Sequence, residues 1–284
     1  MKTIAGETVL LTGASRGVGV FIARALAKEQ VTVLGVSRSK EGLDKICGEV
    51  ETAGGRGIGI PFDIRKVAEL SALMQQVNEL ADPIDILINN AGIEKYGAFT
   101  DYDLEDLQSV LSTNLLAAME LTRLVLPSML RRGSGHIVNI ASLAGKKGAP
   151  YNSIYSASKA GLIMWTDAMR QELAGTGVEI SVICPGYVSQ AGMTFDTHVP
   201  APSLAGTSTP TDVAKAVLRA IKQNKAEVIV NQGFMRGGLT KLLFAIGQVS
   251  PRFGDAVYRW LGVTKLNQMR VENLVAVSSH PTLY

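Results

Sequence analysis

Short apolar, β-branched runs alternate with longer stretches of helical spacing along most of the chain. The runs at 8–11, 31–36, 57–60, 84–88, 136–140, 179–183 and 227–230 predict seven strands. Apolar residues recur three and four apart at 20–28, 64–80, 103–132, 152–174 and 211–223, which predicts helices there. Strands separated by helices need crossover connections. The pattern therefore predicts an α/β fold: a doubly wound, seven-stranded parallel sheet with helices on both faces and right-handed crossovers. One long connection, 187–210, contains Gly192, Pro200, Pro202 and Gly206 and predicts a lid over a site. Beyond it, 238–249 and 252–263 show helical apolar spacing on either side of Pro251. The expected organisation is a body over 1–232 and a helical extension over 233–284 packed on the same domain.

Composition narrows the class. The chain has 284 residues, 46% hydrophobic and 19% charged, with a net charge of +3. That charge is too small to argue for a nucleic-acid partner. Cys47 and Cys184 lack metal-type spacing, and two cysteines make no disulfide framework, so a reducing, cytoplasmic setting is expected. The first seven residues lack the apolar stretch of a signal peptide, and no uninterrupted apolar run has the length of a membrane span. His136, His198 and His280 have no ligand spacing, so no metal site is expected. From Gly233 on, six residues are Lys or Arg and two are Asp or Glu. Such a tail could rest peripherally on an anionic membrane, but apolar stripes at helical spacing more often mean packing on the body or on a second subunit.

The candidate chemistry begins at Gly13-Ala14-Ser15-Arg16-Gly17-Val18-Gly19, between the first strand and the first helix. A glycine-rich turn lets the backbone approach a pyrophosphate, and the helix N-terminus aims free N–H groups at it. The second strand ends Val36-Ser37-Arg38. In dinucleotide folds an acid near this point binds the ribose hydroxyls of NAD, whereas an arginine accommodates the extra phosphate of NADP. The acid is absent and Arg38 is present, with Ser15, Arg16 and Ser37 nearby, which favours NADP. Further on, Tyr155 and Lys159 are four apart and share one helix face. An ammonium beside a phenol favours the phenolate, so this pair suits proton transfer to or from a substrate oxygen. Ser142 ends the fifth strand, at the sheet edge where ligands bind in these folds.

In this order, the glycine loop, Asn89-Asn90-Ala91-Gly92, Asn114, Ser142, Tyr155-x-x-x-Lys159 and Pro185-Gly186 resemble the short-chain dehydrogenase/reductase family. The resemblance covers roughly 3–230. It implies a Rossmann-type sheet, a nicotinamide cofactor, and a tetrad of Asn114, Ser142, Tyr155 and Lys159. By that likeness Tyr155 donates the proton, Lys159 lowers its pKa and holds the nicotinamide ribose, Ser142 orients the substrate oxygen, and Asn114 holds a relay water. Asp63 and Ile64 match the adenine-contacting segment, and Asn90, Ala91 and Gly92 support the cofactor. Pro185, Gly186 and Val188 lie by the carboxamide. Gln190 stands where the family often has threonine, and the chain continues past the usual end. The expected function is an NADP-dependent oxidoreductase interconverting a carbonyl and a secondary alcohol on a medium-sized hydrophobic substrate, lipid-, steroid- or acyl-like. Tyr96, Leu143, Ala144, Tyr151, Tyr187 and Met193 are the expected pocket lining. The alternative is a non-catalytic NADP-binding sensor or scaffold. A homo-dimer or homo-tetramer pairing through the Tyr155–Lys159 helix is implied by the resemblance.

Overall fold

Seven strands form the centre: β1 (Thr8–Thr12), β2 (Thr32–Ser37), β3 (Arg56–Pro61), β4 (Ile86–Asn89), β5 (Gly135–Ile140), β6 (Val178–Pro185) and, numbered after two short strands described below, β9 (Glu227–Val230). They pair in the order β3-β2-β1-β4-β5-β6-β9, with every pairing parallel. The structure is a computed structural model and describes residues 2–81, 83–202, 205–232, 245–247 and 249–279. Strand order reverses between β1 and β4, and a crevice opens there at the carboxyl ends of the strands, the usual place for a ligand in such sheets.

The sheet is covered on both faces. Along β1 the alternation sends Val9 and Leu11 to one face and Leu10 to the other. α1 (Val18–Ala27), α2 (Lys40–Thr52) and α8 (Pro210–Gln223) pack on the first face through Ile22, Leu26, Leu43, Ile46, Val213 and Val217. α3 (Leu70–Leu80) and α5 (Ala117–Arg132) cover the second through Leu73, Val77, Leu121 and Val125. α6 (Ser153–Glu172) continues that layer with Leu162 and Ile163 against Val182 and Cys184. Packing dominates the docking of α8. Fully burying each of Val213, Val217 and Ile221 is worth about 1.5–3 kcal/mol. The partly exposed Lys222–Glu29 ion pair adds about 0.2–1 kcal/mol.

Local chemistry explains the helix ends. Thr209 accepts a bond from Asp212 N at 3.2 Å while the Asp212 carboxylate accepts from Thr209 N at 2.8 Å, and Pro210 opens α8. The helix stops at Asn224, in the left-handed region. Two predicted helices are subdivided. The 64–80 stretch becomes a single 3₁₀ turn (Val67–Glu69) before α3, and the 103–132 stretch becomes α4 (Leu104–Leu111), a π turn (Ser112–Leu116) and α5. Together Leu104–Arg132 has the length and mean hydropathy, 1.2, of a membrane span. Its apolar face lies against the sheet as part of the core.

The predicted lid carries two short strands, β7 (Tyr187–Val188) and β8 (Thr207–Ser208), and a turn of helix, α7 (Met193–Asp196). In the tail, the predicted 238–249 helix falls largely outside the described residues, although 245–247 are helical. The predicted 252–263 helix is α9 (Pro251–Trp260), which ends before Gly262 at φ +73°. A further helix follows, α10 (Val263–Ser279). Among its described side chains those it buries, beyond Val263, are Asn267 and Arg270, so no apolar stripe marks it there.

Candidate active site

At the carboxyl edge of the sheet lies a cavity of about 670 Å³. Every residue proposed from the sequence to hold the cofactor lines it. Gly17 caps α1 at φ +58°, so the first-turn N–H groups open toward the cavity without a side-chain cap. A Cβ on Gly19 would fall 1.9 Å from Gly13 O, so only glycine lets this turn close. Thr12 ties the loop to β4: its hydroxyl accepts from Asn90 N at 3.0 Å and from Ala91 N at 3.1 Å. The Asn90 amide donates to Thr12 O at 2.9 Å. A narrow glycine cradle at a helix N-terminus fits a pyrophosphate.

The far corner is cationic. Arg38 is exposed at the end of β2 and lines the cavity. Arg65 also lines it and was not singled out from the sequence; an Asp-x-Arg spacing is too common to signal a site. Its guanidinium grips Asp63 at 2.6 Å and, with Arg38 nearby, holds that carboxyl below the usual range. Arg16 pairs with Asp196 of the lid at 3.7 Å. Both partners are exposed, so the pair is worth at most about 1 kcal/mol and leaves the guanidinium available to a stronger anion.

At the other end, β5 and α6 bring Ser142, Tyr155 and Lys159 together. The Ser142 hydroxyl accepts from Ala144 N at 3.1 Å and lies by the Tyr155 phenol, drawing its pKa down. Lys159 is buried. Its Nζ donates to Ile140 O at 2.8 Å and lies 5.7 Å from the Tyr155 ring centroid. Burial brings the ammonium down to about 8. The phenol departs from the expectation that Lys159 pulls it down. Burial raises the Tyr155 pKa, and the Ser142 hydroxyl opposes the rise only in part. Burial therefore favours a neutral phenol carrying its proton. Asn114 sits in the π turn behind the site. Its amide is engaged by Ile93 N and O, at 2.8 and 2.9 Å, and by Ser158 Oγ at 3.0 Å. It braces the loop after β4, and its side chain does not line the cavity.

The rest of the wall is mostly apolar. Tyr96, Leu143, Ala144, Tyr187 and Met193 line it as expected, joined by Phe253, Val257 and Tyr258 of α9. Tyr151 does not. Its backbone takes φ +59° and its hydroxyl accepts from Gln268 of α10, which turns it away from the cavity. Two groups escaped the sequence reading. Glu94 follows β4 and faces the cavity, and Arg270 of α10 is fully buried between the rings of Tyr96 and Tyr187. Counted from the sequence among the basic residues of the tail, Arg270 lies in the interior instead. No group of three metal-ligating side chains occurs among the described residues.

Residues 7–198 match the family model described as short chain dehydrogenase. The chain belongs to the short-chain dehydrogenase/reductase family. Among its relatives in that family is the ketoacyl reductase HetN of Nostoc sp., 65% identical over 285 residues, covering 99% of each chain. A 3-oxoacyl-[acyl-carrier-protein] reductase of Synechocystis sp. is 35% identical over 190 residues, 66% of this chain and 77% of that one. A crystal structure of a metagenomic short-chain oxidoreductase in complex with NADP superposes with a TM-score of 0.71 at 29% identity, covering 81% of this chain and 98% of that one. As a short-chain dehydrogenase/reductase, the chain is an oxidoreductase.

Proposed function

We propose that this oxidoreductase reduces the 3-oxo group of an acyl substrate to a secondary alcohol, using NADPH. One observation carries the reading: the Tyr155 phenol and the Ser142 hydroxyl face the same cavity as the glycine cradle. The relatives' printed activities supply the substrate class. The mostly apolar wall, extended by α9, suits an acyl chain.

The cradle that Gly13, Ser15, Gly17, Val18 and Gly19 form would hold the cofactor's pyrophosphate, and Arg16, Ser37 and Arg38 would hold the extra phosphate. Asp63 and Ile64 would bind the adenine, and Asn90, Ala91, Gly92, Pro185, Gly186 and Val188 would hold the nicotinamide half. When bound, NADPH supplies a hydride. Ser142 holds the substrate carbonyl oxygen, and Tyr155 Oη delivers its proton to that oxygen as negative charge develops there. Lys159, fixed by Ile140 O, places a cation beneath the phenol and stabilises the phenolate that remains. Asn114 keeps the loop after β4 in register with α6. The helices α9 and α10 belong to the same domain and complete the acyl wall. They are fastened by Lys147–Asp255 at 2.5 Å and by Asn267 donating to Pro150 O at 2.7 Å.

The test is oxidation of NADPH by the purified protein in the presence of a 3-oxoacyl thioester. Turnover is expected, and no turnover with NADPH or NADH contradicts the reading.

A further inference from the structure

One polar group at the substrate end takes no part in the steps above. Glu94 lines the cavity and is held from two sides. The Tyr96 hydroxyl donates to its Oε1 at 2.8 Å, and Asn152 Nδ2 donates to the same oxygen. No donor meets Oε2 among the described residues. Tyr96 is braced in turn by Arg270, whose guanidinium lies 5.6 Å from its ring centroid and 5.5 Å from that of Tyr187. Arg270 also donates to Val199 O and Pro200 O, at 3.3 and 3.0 Å, so its own place is fixed.

The carboxyl has a defined relation to the proton donor. Asn152 caps α6, and Tyr155 follows three residues later on the same face. Both line the cavity. Three residues of helical rise, about 4.5 Å, separate the two positions along the wall. A substrate with two carbonyl oxygens in 1,3 relation spans such a gap with one hydrogen bond at each end. Because Oε1 already accepts two donors, a proton on this carboxyl sits on Oε2. Burial favours the protonated form. Arg270 and Lys159 oppose it, and the phenols of Tyr96, Tyr102, Tyr155 and Tyr187 complete the titratable surroundings. The net direction is upward from the ordinary carboxylate range.

We propose that Glu94 determines substrate specificity: its Oε2–H donates a hydrogen bond to the second carbonyl oxygen of a 3-oxoacyl thioester whose 3-oxo oxygen is held by Ser142 and Tyr155. The inference rests on the acyl reading above. A monoketone leaves this donor unmatched in a mostly apolar wall, which is unfavourable. No electrons move in this contact, and the proton stays on Glu94.

The experiment compares an acetoacetyl thioester with a methyl monoketone of similar length. It uses wild type, Glu94→Ala and Glu94→Gln, with NADPH binding measured on each as a folding control. The readout is the ratio of kcat/KM for the thioester over the monoketone. Alanine removes the donor and is expected to lower that ratio by roughly 10- to 100-fold, the worth of one well-placed hydrogen bond. Glutamine can accept from Tyr96 and Asn152 through its oxygen and turn its NH₂ to the cavity, so its ratio is expected to stay within about threefold of wild type. A ratio unchanged in Glu94→Ala overturns the proposal and leaves the acyl reading standing. A Glu94→Gln ratio as low as that of alanine overturns the donor role. Wild type that reduces the monoketone and ignores the thioester overturns the acyl reading, and the proposal with it.

Discussion

Arg38 is the residue on which cofactor choice turns. It stands where an acid would hold the ribose hydroxyls of NAD, and a guanidinium there forks onto a phosphate. Arg38→Asp removes that fork and adds repulsion. The KM for NADPH is expected to rise roughly 10- to 100-fold, with a smaller change for NADH, as read from kcat/KM with both cofactors. A wild type that already prefers NADH contradicts the assignment. A second residue links pH to stability. His136 is buried in β5 with Nε2 2.8 Å from Ser181 Oγ, and burial lowers its pKa from 6.5 to about 4. The unfolded chain takes up this proton as pH falls through 6.5, whereas the folded chain resists until about 4. Stability is therefore fully present above 6.5 and is lost as pH falls through that window. The shift corresponds to about 3 kcal/mol at 1.36 kcal/mol per unit. Denaturant melts of wild type and His136→Gln between pH 7 and 4 should show a flatter profile in the variant. Parallel profiles contradict the account.

The tail is where elements and sequence part company. The strands of the sheet and α1, α6 and α8 were legible because their buried positions are apolar and periodic, as at Val213, Val217 and Ile221. The Ser142–Tyr155–Lys159 cluster was legible because residue type, spacing and position at a strand end agree. α10 was not legible. Its buried side chains include Asn267 and Arg270, so no apolar period marks it. Glu94 was missed for a related reason: a lone acid in a loop looks like surface until Tyr96 and Asn152 are seen to hold it. Arg270 bolts α10 to the lid by its bonds to Val199 and Pro200 carbonyls. Arg270→Ala leaves those acceptors unpaired beside a void, for a loss of about 2–5 kcal/mol. Arg259→Ala, on the neighbouring helix, is expected within about 0.5 kcal/mol. Thermal melts and proteolysis of the 190–202 segment check the contrast, and equal effects of the two substitutions contradict the bolt.

At the scale of the molecule, the body leaves apolar side chains exposed on adjoining elements. Leu104 of α4, Leu116 of the π turn and Met164 of α6 are 67%, 47% and 69% exposed. Large apolar side chains exposed on adjoining elements are a candidate association surface. A homo-dimer or homo-tetramer through this face is the expected state, and Leu116→Glu with Met164→Lys should shift it toward monomer in sedimentation velocity. A monomeric wild type at micromolar concentration contradicts this. The central claim concerns the whole site: a neutral phenol, held by Ser142 and underlain by Lys159, protonates a carbonyl at the mouth of a dinucleotide cradle. Tyr155→Phe keeps the ring and removes the proton. Its most direct test is kcat for 3-oxoacyl thioester reduction alongside NADPH affinity by fluorescence, in wild type and in this variant. The account predicts a fall in kcat of about 10²- to 10⁴-fold with NADPH affinity within about threefold of wild type. A Tyr155→Phe protein that turns over at near wild-type rate contradicts it.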